Sequence, residues 1–143
     1  MQEGKTLRRT AIQSIYKNGG KEIEVEKLEV VTREQGGKRI SIVQVQGDVD
    51  IKGSDQLLKE LMELEDWGNY HILVDLGKVE FICSSALGVL ISTLQSLTKH
   101  NGTLKLLHLQ NGVREKFKIT KLIREFEVYE SEEEALRSFN LKQ

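Results

Sequence analysis

The sequence predicts an α/β domain in which helices pack against a mixed β-sheet, and three observations support this. Apolar and polar residues alternate from Ile23 to Val45, as in strands with one solvated face. The run from His71 to Leu76 is short, apolar and β-branched, as expected of a strand covered on both faces. Beyond it, segments with helical spacing alternate with strand-like segments, which is the pattern of an α/β fold.

The chain has 143 residues, of which 38% are hydrophobic, and this suffices for one domain with its own core. We expect a basic N-terminal extension over residues 1–22 and a single domain over residues 23–143. Up to Lys21 the extension holds five basic residues and one acid. Its few apolar residues could line one side of a short helix, and a mobile segment is the equal alternative. On either reading, it should be dispensable for folding.

The domain is predicted to start with two strands joined at Gly36-Gly37. Gly47-Asp48-Val49-Asp50 ends the second strand. Ser54 is the expected cap of the first helix, which carries leucines on one side and charged residues on the other. Trp67-Gly68 ends that helix.

The stretch from Phe81 to Leu90 changes from the spacing of a strand to that of a helix, and the helix should stop at Asn101-Gly102. From Ile82 to Thr98 no residue is charged, although charged residues make up 30% of the chain. The residues expected on the outer side of this helix are small or neutral: Ser85, Gly88, Val89, Ser92, Thr93 and Ser96. An uncharged side indicates either a docking surface or a helix that another part of the fold covers.

Four further elements complete the predicted domain. Thr103–Leu107 reads as a strand, and a third helix follows with Val113 and Phe117 on its inner side. A last strand lies around Phe126–Tyr129. Ser131 and the three glutamates after it form the capping-box start of a closing helix, where acids complement the helix dipole.

The composition excludes several classes of site. The single cysteine cannot form an internal disulfide, and no Cys/His spacing suits zinc, so neither a metal nor another cofactor is expected. His71, His100 and His108 are isolated and are interpreted as structural or exposed residues. There is no phosphate-binding glycine loop and no nucleophile elbow.

Two kinds of partner are also not expected. The basic residues are too scattered to form a face for nucleic acid. No apolar run approaches the roughly 20 residues of a membrane span, and the N-terminus lacks a secretory apolar core, so we expect a cytoplasmic protein without membrane insertion.

The segment Phe81-Ile82-Cys83-Ser84-Ser85-Ala86-Leu87-Gly88-Val89 resembles the signature of the STAS domain, in particular that of bacterial anti-sigma factor antagonists. That family typically has Asp-Ser-Ser/Thr-Gly-Leu-Gly here, after a strand. Gly47-Asp48-Val49-Asp50 is similar to its Gly-x-x-Asp segment, and Asn101–Leu106 to its Gly-x-x-Leu strand. The ending Phe126–Leu136 looks like its last strand and helix, so the resemblance covers about residues 24–141.

This resemblance implies a single STAS-like domain, with a mixed four- to five-stranded sheet and helices packed mainly on one side. It also implies a regulator that is not an enzyme, which binds an anti-sigma factor serine kinase and is reset by a metal-dependent serine/threonine phosphatase. Ser84 matches the family's phosphorylated serine, and Ser85 is the second candidate. The residues expected to bind the partner are Asp48, Asp50, Cys83, Ser84, Ser85, Gly88, Val89 and Ser92.

The segment departs from the family pattern at two positions, where Cys83 replaces an aspartate and Ala86 replaces a glycine. Cys83 is expected to be a buried residue at a strand end. Two other functions stay open: an accessory subunit of a membrane transporter or lipid-transport ATPase that is not phosphorylated, and a small hydrolase with Cys83 as nucleophile. The hydrolase ranks far behind, because no histidine can be placed near Cys83 from the sequence.

Overall fold

The structure, a computed structural model, describes residues 7–11 and 27–140. Its elements in chain order are β1 (Leu7–Ala11), β2 (Lys27–Gln35), β3 (Lys38–Gln46), α1 (Ile51–Asp66), β4 (His71–Lys78), α2 (Ser84–Thr98), β5 (Thr103–Leu107), α3 (Asn111–Ile119), a 3₁₀ turn (Leu122–Glu125), β6 (Val128–Tyr129) and α4 (Glu132–Ser138). The strands form one sheet in the order β1-β2-β3-β4-β5-β6. The first two pairings are antiparallel and the other three are parallel, so the sheet is mixed, as predicted.

Strand β1 was not predicted. It pairs antiparallel with β2 in unbroken register, from Leu7 opposite Thr32 to Ala11 opposite Leu28. For these five residues, the helix and the mobile segment considered from the sequence are both wrong, because β1 supplies hydrogen-bond partners to an otherwise unpaired edge of β2. The rest of the extension lies outside the described residues, and the domain boundary at residue 23 stays a prediction.

Helices α1, α2 and α3 cover one face of the sheet. Alternate residues of β2 to β5 point to this face, and the main core cluster combines them with the inner sides of the three helices. Val113 and Phe117 of α3 are fully buried there, as predicted. This core orients the three helices relative to the strand ends.

Among the described residues, α4 is the helix that packs on the opposite face, and it covers part of it. Ala135, Leu136 and Phe139 pack in a second cluster on strand residues that include Ile42 and Leu73. The helices therefore lie mainly on one side of the sheet, in agreement with the predicted fold class. Lys105 also belongs to this face and is 3% exposed.

The cap of α1 differs from the prediction. The Asp50 carboxylate accepts a hydrogen bond from the Gly53 amide at 3.0 Å. Ser54 lies inside the helix, where its hydroxyl donates to the Ile51 carbonyl oxygen at 2.8 Å, so the prediction that it caps the helix is wrong. The physical reason is that Asp50 is an equally good cap and comes four residues earlier. Ser131 caps α4 as predicted.

The end of α2 follows the predicted stop. Asn101 has the left-handed backbone conformation, with φ of 63°, and the Gly102 amide donates to the Leu97 carbonyl oxygen at 2.9 Å. A Cβ atom at position 102 would collide with the Tyr70 carbonyl oxygen. Glycine is therefore required for the close passage of this turn over the start of β4.

The pairing of β1 predicts what happens when residues 1–22 are deleted. The β2 amides that point toward β1 should exchange their hydrogen faster, because they lose their acceptors. We expect the melting temperature to fall by about 3–6 °C, which corresponds to about 1 kcal/mol in a domain of this size. Amides of the central strand β4 serve as the internal control in the hydrogen-exchange measurement. Unchanged protection of β2 would show that β1 does not pair in solution.

The cap of α1 predicts a difference between two neighbouring aspartates. Asp50→Ala should reduce the free energy of unfolding by about 1 kcal/mol, because the Gly53 amide loses its acceptor. Asp48→Ala is the matched control, since Asp48 is exposed and caps no helix, and it should change stability by less than about 0.5 kcal/mol. Urea denaturation of both variants measures the difference. Equal values for the two would mean that the cap does not contribute.

Candidate functional site

Two chain segments meet beyond the carboxyl ends of β3 and β4, just before α1 and α2. Val49 and Ile82 form an isolated parallel β-bridge between these segments. The Val49 amide donates to the Phe81 carbonyl oxygen at 2.9 Å, and the Cys83 amide donates to the Val49 carbonyl oxygen at 2.8 Å. Val49 and Ile82 are both buried, at 0% and 1% exposure. The bridge therefore fixes the starts of α1 and α2 side by side.

The bridge also brings the predicted aspartates to the serine signature. In a parallel pairing, the residues that flank the bridge run alongside each other. Asp48 thus lies beside Phe81, and Asp50 lies beside Cys83. Asp48 is exposed, whereas Asp50 is partly buried and is held in the α1 cap. We call the group Asp48, Asp50, Cys83, Ser84 and Ser85 the junction.

Helix α2 begins at Ser84. Cys83 is its N-cap, with an extended backbone (φ −84°, ψ 166°) and no side-chain capping bond. Cys83 is half-exposed and packs against the edge of the main core. The prediction of a buried strand-end residue is wrong, because β4 already ends at Lys78 and the chain leaves the sheet before it returns at the bridge.

Ser84 and Ser85 are both exposed at the first two positions of α2. The first amides of an α-helix have no acceptor within the helix, and the aligned peptide dipoles place a partial positive charge there. The first acceptor in this helix is the Cys83 carbonyl oxygen, which receives the Ala86 amide at 3.1 Å. An anion attached to Ser84 would therefore meet a favourable field from its own helix.

The amino-terminal half of α2 presents the uncharged surface that the sequence predicted. Ser85, Gly88 and Ser92 are exposed, and Val89 is partly exposed. A Cβ atom added at Gly88 would meet nothing within 4 Å. Of the two alternatives for the uncharged side, an open surface applies to this half of the helix.

The carboxyl-terminal half of α2 is covered in part. Thr93 is only 6% exposed, so its predicted place on the outer side is wrong. Its spacing explains this, because positions 86, 90, 93 and 97 recur on one stripe that faces the core. Ser96 is partly buried, and its hydroxyl donates to the Glu65 carboxylate of α1 at 2.5 Å. The second alternative, a helix side covered by another part of the fold, therefore applies to this half, and α1 provides the cover.

Two apolar side chains at the junction were missed in the sequence. Ile51, the first residue of α1, is 65% exposed, and Phe81 is 46% exposed. The Lys116 ammonium of α3 lies 5.1 Å from the centre of the Phe81 ring. Ile51 carries a signal that could have found it, because it falls outside the helical spacing of the buried residues Leu57 and Leu61. For Phe81 no such signal exists, since exposure of a loop residue depends on the packing around it.

The described residues hold few groups for catalysis. Within residues 7–11 and 27–140, the Cys83 thiol has no hydrogen bond to a histidine. His108 lies instead at the end of β5, where its Nδ1 is 3.3 Å from the Asp75 carboxylate. The same part of the chain contains no group of three or more acidic, histidine or cysteine side chains placed to hold a metal ion. None of its helices has the length and apolar character needed to cross a membrane.

Comparisons with known structures give the same fold. An anti-sigma factor antagonist from Mycobacterium paratuberculosis matches with a TM-score of 0.68 and 23% identity, over 80% of this chain and 95% of that chain. The anti-sigma factor antagonist SpoIIAA in its unphosphorylated form matches with a TM-score of 0.67 and 23% identity, over 84% of this chain and 100% of that chain. Its phosphorylated form matches with a TM-score of 0.60 and 19% identity, over 78% and 97%. At these identities the likeness shows the fold alone.

Comparisons of sequence show the family. The model of the STAS domain matches residues 30–135. BtrV of Bordetella bronchiseptica, which is described as an anti-sigma factor antagonist, is 34% identical over 95 residues, which cover 66% of this chain and 82% of BtrV. Because the family match spans most of the chain and the likeness to BtrV spans most of BtrV, this chain belongs to the STAS domain family, among the bacterial anti-sigma factor antagonists.

Proposed function

We propose that this protein is a cytoplasmic antagonist that works by partner switching. In its unphosphorylated form it binds an anti-sigma factor that is also a serine kinase, and so releases a sigma factor. The kinase phosphorylates Ser84, which dissociates the complex. A metal-dependent serine/threonine phosphatase then removes the phosphate and restores the form that binds the kinase. The observation that carries this proposal is the position of Ser84, an exposed hydroxyl at the first residue of an uncharged helix.

The choice of Ser84 as acceptor rests on its match to the family's phosphorylated serine. Its exposure supports this choice, because a kinase must reach the hydroxyl. SpoIIAA, which shares this fold, is known in a phosphorylated form. Ser85 is exposed as well and stays the second candidate, one position further into the helix.

Phosphorylation of Ser84 would act through local charge without refolding the domain. At the start of α2, the free amides and the helix dipole favour an anion, so the modified domain should remain folded. A partner surface fitted to a neutral hydroxyl would have to desolvate nearly two negative charges. A penalty of about 3 kcal/mol would weaken binding roughly a hundredfold, which is enough to dissociate a micromolar complex.

The surface around Ser84 is suited to a protein partner. Ile51 and Phe81 supply exposed apolar area beside the serines, and Gly88 leaves room for a close approach to α2. Exposed aromatic and aliphatic side chains that a partner can bury are typical of the energetic centre of an interface. Asp48, exposed at the bridge, is the carboxylate that we propose the kinase meets, because the family's aspartate is absent at Cys83.

The main alternative is an accessory subunit of a transporter or lipid-transport ATPase, which would use the same surface as a permanent contact. The likeness to BtrV favours the antagonist. Purification of the tagged protein from its host, followed by mass spectrometry, distinguishes the two. A sigma-regulating kinase among the bound proteins supports the antagonist, whereas a permease or ATPase supports the accessory subunit.

Substitutions at Ser84 test the proposed switch. Ser84→Asp should weaken the kinase complex by about tenfold or more, because even one added charge must be desolvated. Ser84→Ala should bind constitutively and should not be phosphorylated. Ser85→Ala is the matched control and should keep both binding and phosphorylation. Calorimetry and phosphate incorporation with the purified kinase measure these effects.

Three results would contradict the proposed local switch at Ser84. Phosphate on Ser85, with Ser84 unmodified, would transfer the switch to the neighbouring residue. Tight binding to the kinase without phosphorylation of either serine would favour a permanent subunit. An amide NMR spectrum of Ser84→Asp that changes throughout the sheet would indicate refolding instead of a local effect.

Substitutions at Cys83 test whether the thiol has a role. Cys83→Ala should keep most of the partner affinity, because the Cys83 contact to the bridge is made by its backbone amide. Cys83→Asp should increase the rate of phosphorylation if the kinase recognises the family's carboxylate. Calorimetry measures the affinity of Cys83→Ala, and single-turnover phosphate transfer measures the rate for Cys83→Asp. Complete loss of binding in a well-folded Cys83→Ala variant would argue for a functional thiol.

A further inference from the structure

A cavity lies at the other end of β4 from the junction, where the parallel strands begin. Its volume is about 380 Å³, which is within the range of pockets that bind small molecules. Lys38 of β3, His71 of β4 and Lys105 of β5 line it, together with Phe139 after α4 and the turn after α2. Three nitrogen-bearing side chains from three neighbouring strands therefore meet at one opening.

These side chains converge on Phe139. The Lys38 ammonium donates to the Phe139 carbonyl oxygen at 2.6 Å. The Lys105 ammonium lies over the Phe139 ring, 4.6 Å from its centre, and the His71 ring meets the same ring edge to face at 6.1 Å. Phe139 is itself only 3% exposed. It thus forms the base of the cavity and fixes the groups around it.

Lys105 contributes charge to the cavity but no free donor. Its three N–H groups meet three acceptors: the Ser138 carbonyl oxygen at 3.2 Å, the Ser138 hydroxyl at 2.9 Å and the Glu127 carboxylate at 3.1 Å. Hydrogen bonds from the Tyr129 hydroxyl and, to a smaller extent, from Lys105 hold the pKa of Glu127 below its usual value. The ionised Glu127 thus balances one of the two lysines.

Among the described residues, Lys38 has donors that face no acceptor. Among the described residues its ammonium makes one hydrogen bond, to the Phe139 carbonyl oxygen, although an ammonium carries three N–H groups. Lys38 is partly exposed, so the remaining two can reach a molecule in the cavity. Hydrogen bonds within the described residues therefore account for all three N–H groups of Lys105 but for only one of the three N–H groups of Lys38.

His71 adds a second donor. Its Nδ1 is buried and has no hydrogen-bond partner among the described residues, so a proton on Nδ1 would be left unsatisfied. Burial, and then the charges of Lys38 and Lys105, lower the pKa of His71, which keeps the ring neutral at pH 7. Because Nδ1 is buried, a ligand in the cavity can meet the ring at Nε2, and a neutral ring that carries its proton on Nε2 donates from there.

We propose that this cavity binds a small molecule through an oxyanion group, a phosphate or a carboxylate, that accepts hydrogen bonds from Lys38 Nζ and His71 Nε2. With Glu127 ionised and His71 neutral, the charged groups at the cavity sum to one positive charge, which suits such a group. The volume leaves room for the body of a small phosphorylated or carboxylated metabolite beyond the oxyanion. This site is separate from the junction and does not depend on partner switching.

An NMR titration of the full chain tests the site. The His71 ring resonances are followed while inorganic phosphate or acetate is added, with sodium chloride at matched ionic strength as reference. We expect a saturable shift with at least one of the two anions and none with chloride. Saturation by phosphate alone identifies a phosphorylated ligand, and saturation by acetate as well identifies carboxylates as ligands too.

Matched variants locate the binding. Lys38→Met should raise the dissociation constant for the anion by about tenfold or more, which corresponds to about 1.4 kcal/mol. Lys99→Met is the control. Lys99 is exposed at the end of α2 that borders the cavity, but it does not line the cavity, so its substitution should change the dissociation constant by less than about twofold. If Lys38→Met does not fold, His71→Leu takes its place, with the backbone amide of Thr103 as the reporter.

Three results would overturn the proposal. Shifts that rise linearly with each anion, without saturation, would show general ionic effects. Equal weakening in Lys99→Met and Lys38→Met would show that bulk charge and not the cavity attracts the anion. An Nδ1–H tautomer of His71 in the nitrogen spectrum would remove the Nε2 donor on which the site rests.

Discussion

The two backbone hydrogen bonds of Val49 hold the candidate site together. They join the segment before α1 to the segment before α2, and because Val49 and Ile82 are buried, water does not compete for them. The exposure of Ser84, the position of Asp48 and the apolar pair Ile51 and Phe81 all follow from this bridge. Since the bridge uses the backbone amide of Cys83, the site keeps its geometry although the family's aspartate is missing at that position.

The fold could be predicted to the extent that local spacing determines it. Strands β2 to β6 and the four α-helices follow from periodicity, whereas β1 does not, since its pairing with β2 depends on an edge that only the folded sheet presents. The choice of Asp50 over Ser54 as a cap depends on where the chain leaves β3. The serines of the site were found from the resemblance to a family. The exposure of Phe81, and the meeting of Lys38 with His71, depend on tertiary packing that spacing does not encode.

The absence of charge along α2 concerns both partner binding and its control. A neutral helix costs little to desolvate against another protein, so it suits an interface that must form and dissociate. The same absence means that α2 has no cation of its own for a phosphate on Ser84, and the dipole and free amides are what this helix offers. An added phosphate would thus remain largely a surface charge that a partner has to accommodate.

The two ends of α2 differ in their electrostatics. Its amino terminus presents partial positive charge at Ser84, and its carboxyl terminus, like that of α4, presents partial negative charge near the cavity at His71. Part of the positive charge of Lys38 and Lys105 therefore offsets the carbonyl groups at the end of α4, and only the charge that is left can attract a ligand. Affinity for an oxyanion there depends on directed donors more than on net charge, which is why the neutral His71 ring matters as much as Lys38.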